Sequence, residues 1–134
     1  MPSMNSALAI SQSDKRPMYL QIMAQIKQRI AVGDWAPGHP IPSIRQLAVA
    51  LQVSVITVKR AYLELEREGV ILTQQGKGSL VASTPGLAGR LREQELDQHL
   101  QQAARIAALL GIRGRELEHR LREAGDRTSE KETI

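Results

Sequence analysis

The sequence predicts a mostly α-helical fold that carries one small β-hairpin, and two observations support this fold class. Between residues 17 and 69, apolar residues recur three and four positions apart in three successive segments, which is the spacing of one buried helix face. Residues 70–83 then form two short strand-like runs on either side of a glycine-rich turn. Three helices followed by a hairpin predict a winged helix-turn-helix domain.

The first helix is expected to begin at Pro17, which suits a first turn because it has no amide hydrogen to leave unbonded. Gly33 ends this helix in the manner of a left-handed cap. Residues 34–42, DWAPGHPIP, predict a turn because they hold three prolines and a glycine. Trp35 in this turn is expected to cover the small core. The predicted core face of the first helix is Tyr19, Ile22, Met23, Ile26 and Ile30.

The second and third helices follow with short capping signals. Ser43 and Gln46 form the pattern of a capping box at the start of the second helix. Gln52 and Val53 form a tight turn, and Ser54 caps a third helix that runs to about residue 68. The predicted core faces of these two helices are Ile44, Leu47, Ala48 and Leu51, and then Val58, Ala61, Tyr62 and Leu65.

Four segments are expected along the chain. Residues 1–13 predict a flexible N-terminal arm, and residues 14–84 predict the winged helix-turn-helix domain. Residues 85–124 predict a two-helix segment, with a short linker at 85–89 and helices over about 90–110 and 114–124. Residues 125–134 are polar and lack an apolar stripe, so they are expected to be disordered.

The two-helix segment predicts a homodimer. Its first helix carries an apolar stripe wider than so small a domain covers, and soluble monomers seldom display such a patch. Pairing with a second copy under two-fold symmetry would bury it. The alternative is that the stripe folds back on the chain's own helix over 114–124. The predicted interface residues are Leu96, Leu100, Ala103, Ala107, Leu110, Leu117 and Leu121.

Charge and composition narrow the function. Residues 14–84 carry nine Lys and Arg against five Asp and Glu, a net charge of +4, whereas residues 85–124 carry seven against six. A basic excess in one domain is typical of nucleic-acid binding, although a charge of this size is equally a solubility margin. The chain has no cysteine, which excludes disulfides and thiolate metal sites.

The sequence contains neither the residue pattern of a catalytic site nor that of a membrane-spanning segment. The three histidines fall in a turn and on two different helices, with no metal-site spacing and no nucleophile to pair with. We therefore predict no enzyme, no metal and no cofactor. No run approaches the about 18–20 apolar residues of a membrane span, and the first residues do not form a secretory signal. A cytoplasmic protein without a membrane partner is expected.

The third helix has a charge order that favours DNA as the partner. Helix dipoles are stabilised by acids at the N-terminus and bases at the C-terminus. Here Lys59 and Arg60 lie in the first half and three glutamates lie in the last turn. A helix that enters the major groove beside phosphates would have a reason for this order. The alternative is an ordinary surface pair between Arg60 and Glu64.

At this point the residues resemble a known family. The run PSIRQLAVALQVSVITVKRAYLELEREGVILTQQGKGSLV resembles the DNA-binding domain of GntR-type bacterial transcription regulators. Its PS-x-R-x-LA, T-V-x-RAY-x-x-LE-x-EG and GKG motifs occur together, and the resemblance covers residues 17–82. The short two-helix end is similar to the YtrA subfamily, in which a small helical appendage makes the dimer in place of a large effector-binding domain.

The resemblance implies a sequence-specific transcriptional regulator, expected to be a repressor, that binds an inverted-repeat operator in double-stranded DNA as a homodimer. It further implies control of its own operon or of a nearby transporter operon. A small-molecule effector stays open, and the alternative function is a winged-helix protein-interaction module. The residues that the patterns and the resemblance together assign to DNA are Ser43, Arg45, Ser54, Val55, Thr57, Lys59, Arg60, Gln75, Gly76, Lys77 and Gly78.

Two positions of the third helix depart from the family pattern, Val55 and Ile56, and a polar residue is frequent in the family at the position of Ile56. Val55 stands where many relatives have arginine, which can make a bidentate contact with guanine. Valine offers only apolar contact, for instance with a thymine methyl group. The operator is therefore expected to differ from that of relatives with arginine.

Overall fold

The computed structural model describes residues 8–11 and 14–132 and divides the chain into two compact units, with the boundary between Glu93 and Gln94. The described elements are five helices and two strands, and the predicted mostly helical fold with one hairpin is confirmed. The first unit holds three complete helices, the hairpin and the first turns of a fourth helix. The elements are α1 (Met18–Ala31), α2 (Ile44–Leu51), α3 (Val55–Arg67), β1 (Ile71–Gln74), β2 (Gly78–Val81), α4 (Leu87–Leu109) and α5 (Arg115–Glu132).

The core of the first unit lies where α1 and α2 pack against α3. The faces predicted from apolar spacing are the faces that are buried, and Ile26, Val58 and Leu65 have no measurable exposure. Trp35 is buried beside them, as predicted, and its ring stacks on His39 with 6.0 Å between centroids. Burial of this apolar surface is the main favourable contribution to the stability of the unit.

The hairpin has a third extended segment beside it, which the sequence analysis assigned to a turn. The amide of Ile41 donates to the carbonyl of Ser79 at 3.0 Å, and the amide of Val81 donates to the carbonyl of His39 at 2.9 Å. Pro40 lies opposite Leu80 between these two bonds. Its missing amide hydrogen costs nothing there, because proline is tolerated on an edge strand. The segment before α2 therefore supports β2 along its open edge.

The N-terminal arm was expected to be flexible, and in the structure its residues 8–11 lie against α1. Leu8 is buried in the core of the first unit. The amide of Ala9 donates to the Gln25 side-chain oxygen at 2.7 Å, and the Gln25 amide group donates back to the Ala9 carbonyl. The amide of Ser11 donates to the oxygen of the buried Gln21 side chain at 3.0 Å. Residues 1–7 and 12–13 of the arm lie outside the described residues.

The C-terminal helices are longer than predicted. Helix α4 begins at Leu87, which is buried in the first unit, so the linker expected over 85–89 is shorter. Helix α5 continues to Glu132 and so includes residues 125–132 of the tail that was expected to be disordered. Gly125 costs only about 1 kcal/mol inside a helix and does not end it. The last two residues of the predicted tail lie outside the described part. None of the described helices is both long enough and apolar enough to cross a membrane.

Candidate nucleic-acid interface

The start of α2 is fixed by the predicted capping box. The Ser43 amide donates to the Gln46 side-chain oxygen at 3.0 Å, and the Gln46 amide donates to the Ser43 hydroxyl at 3.1 Å. Arg45 follows within the first turn, is exposed, and forms no ion pair with any described residue. The cap therefore uses the Ser43 side chain inside the protein and leaves the Arg45 cation at the surface.

The start of α3 is fixed in a similar way. The Ser54 hydroxyl accepts a hydrogen bond from the Thr57 amide at 3.1 Å, and the two hydroxyls lie 2.8 Å apart in a second hydrogen bond. The first turn contains no acidic residue. Lys59 is exposed and has no acidic partner within the described part of the chain. This end of α3 thus presents a free cation beside a cap whose hydroxyls are already engaged.

Arg60 makes a contact that the sequence analysis missed. Its guanidinium carbon lies 3.9 Å from the centroid of the Tyr19 ring, in a cation–π contact that joins α3 to α1. The surface pair with Glu64 that was the alternative interpretation is not formed, because Glu64 accepts a hydrogen bond from Arg67 at 2.8 Å. Arg60 stays exposed beside the other bases of α3.

The acidic end of α3 has a partner on α1 as well. The Nζ atom of Lys27 lies 2.6 Å from Glu68. The C-terminal glutamates that make the charge order of α3 unusual are therefore partly compensated by neighbouring bases. The bases at the front of the helix, by contrast, have no acid beside them in the described chain.

The geometry between α2 and α3 rests on a left-handed turn and one buried hydrogen bond. Gln52 adopts φ of 56°, and the Val53 amide donates to the Ala48 carbonyl at 3.1 Å. The buried Tyr62 hydroxyl of α3 donates to the carbonyl of Pro42, just before α2, at 2.7 Å. Burial raises the pKa of Tyr62 well above its usual range, so the phenol remains a donor at every physiological pH. The starts of the two helices are therefore held in a set relation.

The hairpin ends in a narrow, cationic tip. Gln74 pairs with Gly78 in the antiparallel ladder, and the Lys77 amide donates to the Gln74 carbonyl at 3.0 Å. Gly76 adopts φ of 83°, a left-handed conformation that favours glycine. No atom lies within 4 Å of where a Cβ of Gly76 would be, so the tip is open to a ligand. Lys77 is exposed at this tip, as is Gln75.

The structure thus brings all the predicted DNA-binding residues into the first unit, on three elements in sequence. Helix α2 packs against α3, and α3 contacts β1 of the hairpin. Ser43, Arg45, Ser54, Val55, Lys59 and Arg60 are exposed and Thr57 is half-buried. Within the described residues, no cluster of His, Asp or Glu could hold a metal ion. These exposed residues offer hydrogen-bond donors and cations, which are the groups that bind phosphate and base edges.

The predicted dimer residues lie mostly at the surface of the second unit. Leu96, Leu100, Leu110 and Leu121 are between 40% and 65% exposed, which is high for leucine. Ala103 is also exposed, and Leu117 is half-buried. Ala107 is the exception, because it is buried within the chain itself.

The comparisons with known proteins agree with this architecture. The model of the gntR family of bacterial regulatory proteins matches residues 18–81. The uncharacterized HTH-type transcriptional regulator YhcF of Bacillus subtilis is 32% identical over 102 residues, which cover 76% of this chain and 84% of YhcF. The chain belongs to the GntR family. It is accordingly a helix-turn-helix transcriptional regulator with a DNA-binding winged domain.

Two further proteins are similar to this chain. The HTH-type transcriptional repressor YtrA of B. subtilis is 39% identical over 75 residues, which cover 56% of this chain and 58% of YtrA. A GntR family transcriptional regulator from Listeria monocytogenes superposes with a TM-score of 0.73 at 28% identity, covering 83% of this chain and 97% of that one.

A similar solved structure was determined with DNA bound. The AraR DNA-binding domain in complex with operator ORX1 matches with a TM-score of 0.52 at 28% identity, covering 55% of this chain and 94% of that one. That neighbour therefore binds an operator through a domain with a similar fold.

Proposed function

We propose that this protein is a repressor that binds an inverted-repeat operator as a homodimer, and that it belongs with the YtrA-type members of its family. The observation that carries the proposal is the set of exposed cations Arg45, Lys59 and Lys77. They lie at the start of α2, in α3 and at the tip of the hairpin, with no acid in the first turn of either helix. Unpaired cations on a winged domain are what a polyanion would neutralise.

Each element has a distinct role in this proposal. The front of α3 enters the major groove, where Val55, Thr57 and Lys59 meet base edges. Arg45 and the cap at Ser43 contact the phosphate backbone. The hairpin tip, formed by residues 75–78, follows the neighbouring minor groove, where its glycines permit close approach and Lys77 supplies charge. Ser54 and Arg60 bind phosphate at the edge of α3, with Arg60 positioned by the Tyr19 ring.

The homodimer forms through the exposed leucines of the second unit. A helix with this much exposed apolar surface is stabilised when a second copy covers it. Two linked winged domains would bind two half-sites about 10 bp apart, with greater affinity than one domain alone. The length match to the Listeria regulator, which extends over 97% of that chain, supports a shared arrangement of the second unit.

A relative supports the repressor part of this proposal. YtrA is a transcriptional repressor by name, and we extend that activity to this chain, with its own operon or a nearby transporter operon as the target. The protein acts on DNA in the cytoplasm and catalyses no reaction. A small-molecule effector is not required for this function.

A salt titration of DNA binding tests the proposal. The full chain is mixed with a labelled duplex of its own upstream region, and affinity is measured by fluorescence anisotropy at several salt concentrations. Binding should weaken with salt, and Arg45→Ala and Lys59→Ala should each reduce the slope of log affinity against log salt by about 2, since each removes one cation from each protomer of the proposed dimer. Arg122→Ala, which removes an exposed arginine from α5, should leave the slope unchanged.

The same titration has an outcome that refutes the proposal. Absence of any salt-dependent complex with the duplex would exclude operator binding and favour the protein-interaction module. Thermal unfolding of each variant is measured in parallel. Because neither side chain is buried, Arg45→Ala and Lys59→Ala should leave the melting temperature close to that of the parent.

A further inference from the structure

Ile56 is exposed in a way that the fold does not explain. Its side chain is 79% exposed on the first turn of α3, next to Val55, which is 47% exposed. Both residues are β-branched and lose rotamer freedom in a helix. Neither joins the core of the first unit or packs against it. Polar residues at these two positions would therefore serve stability at least as well.

The polar groups beside Ile56 are already engaged. The hydroxyls of Ser54 and Thr57 bond to each other, and the Ser54 hydroxyl also accepts the Thr57 amide. The guanidinium of Arg60 lies over the Tyr19 ring. The methyl groups of Ile56 and Val55 are thus accessible at the front of α3 beside hydroxyls that are already hydrogen-bonded.

The charges around Ile56 indicate what covers it. Lys59 follows Ile56 by three positions and Val55 by four, so all three side chains lie on neighbouring parts of one helix face. Lys59 is unpaired within the described chain, and the turn has no acid. A partner that covers this face must supply negative charge for Lys59 and, next to it, an apolar group for Ile56 and Val55. Duplex DNA does so, because thymine places an apolar C5-methyl group in a groove walled by phosphates.

We propose that Ile56 is a specificity-determining residue that contacts the C5-methyl group of a thymine in each operator half-site. The inference rests on the proposed function, since it assigns a base class to the same surface. Val55 contributes to the same apolar contact. At this position the protein would then recognise the base through an apolar contact. A hydroxyl or guanidinium group would have recognised it through a hydrogen bond.

Replacement of thymine by uracil removes only the methyl group and isolates this contact. A high-affinity duplex is first selected from a random library with the full chain. Each thymine of that duplex is then replaced singly by uracil, and affinity is measured by anisotropy. At one or two symmetry-related positions the affinity should fall by about fourfold, the equivalent of one buried methylene group.

Variants connect the methyl group to the residue. Ile56→Ala should lose most of the preference for thymine over uracil at the sensitive positions, with only the smaller contact of Val55 left. Val49→Ala is the matched control, because Val49 is equally exposed at 79% but lies on α2. It should keep the full preference for thymine. Loss of the preference in Ile56→Ala, with retention in Val49→Ala, supports the proposal.

Three outcomes would overturn the inference. Equal binding of every uracil duplex by the parent protein would show that no methyl group is read. An unchanged thymine preference in Ile56→Ala would assign the methyl contact to another residue. A shift from dimer to monomer in Ile56→Ala, measured by sedimentation equilibrium, would assign this face to a second copy of the chain. Failure to select any duplex would instead refute the proposed function itself, together with this inference.

Discussion

At the scale of single residues, the DNA-binding unit depends on contacts between groups that are far apart in sequence. Tyr62 bonds to the carbonyl of Pro42, twenty positions earlier, and Arg60 stacks on Tyr19 of α1. These two contacts hold α3 against the start of α2 and against α1. The side chains that would meet DNA can then be presented without reorganisation on binding, which reduces the cost of association.

Tyr62→Phe should destabilise the protein by about 1–3 kcal/mol, because it leaves the Pro42 carbonyl buried without its donor. The free energy of unfolding is measured by urea denaturation. Tyr19→Phe is the control, since it keeps the ring under Arg60 and removes a hydroxyl that is not part of this bond. An equal loss of stability in both variants would contradict the role given to the Tyr62 hydrogen bond.

Contacts between residues close in sequence could be predicted, whereas long-range contacts could not. The capping residues Ser43, Gln46 and Ser54 were predicted correctly because their partners lie three positions away and the pattern is local. The Tyr19 ring was not predicted as the partner of Arg60. Helical spacing indicates only partners on the same helix, such as Glu64 four positions later. Only the packing of α1 against α3 brings the Tyr19 ring under the guanidinium.

At the scale of elements, hydrogen bonds with residues 39–41 support the β2 edge of the hairpin. A two-stranded hairpin is marginal in water without such support. Sequence analysis missed this segment because its prolines predict a turn, and the pairing partner lies forty positions away. The full length of α5 was not predicted either. Its C-terminal part is polar and lacks the regular apolar spacing from which a helix is normally predicted.

Gly76→Ala should loosen the hairpin tip while the rest of the domain stays folded. A side chain at a left-handed position costs about 1–2 kcal/mol. Hydrogen exchange at the Lys77 amide, which bonds to Gln74, should therefore accelerate by about 5–30-fold, and duplex affinity should fall.

The matched control for the tip is Gly89→Ala, at a helical position of α4 without positive φ. It should leave Lys77 exchange and duplex affinity unchanged and stabilise α4 by about 0.5–1 kcal/mol. Unchanged exchange at Lys77 in Gly76→Ala would show that the tip does not need its left-handed turn.

At the scale of the whole molecule, the first unit could be predicted almost entirely and the assembly only as a hypothesis. The core faces follow from the spacing of residues such as Ile26, Val58 and Leu65, which are buried as expected. The proposed dimer would use a surface covered by a second copy, and only the exposed leucines of that surface are visible within one chain. Ala107 illustrates the limit, because helical spacing cannot distinguish burial within the chain from burial between chains.

Leu100→Asp should convert the proposed dimer into monomers. Leu100 is 40% exposed on α4, and a carboxylate placed in an apolar interface would be desolvated without a partner. Sedimentation equilibrium measures the mass, and anisotropy should show weak binding that no longer depends on the second half-site. Gln101→Asp changes the neighbouring exposed residue and should keep the dimer. A full-affinity dimer in Leu100→Asp would refute this interface.

The docking of residues 8–11 has a practical consequence for any work on this protein. Residues 8–10 line a cavity of about 330 Å³ together with Gln52 and Val53, the two residues that turn the chain from α2 into α3. Proteolytic trimming before α1 would remove residues 8–10 from their place beside the turn between α2 and α3. We expect such trimming to change operator affinity, although every residue that we propose to contact DNA stays in place.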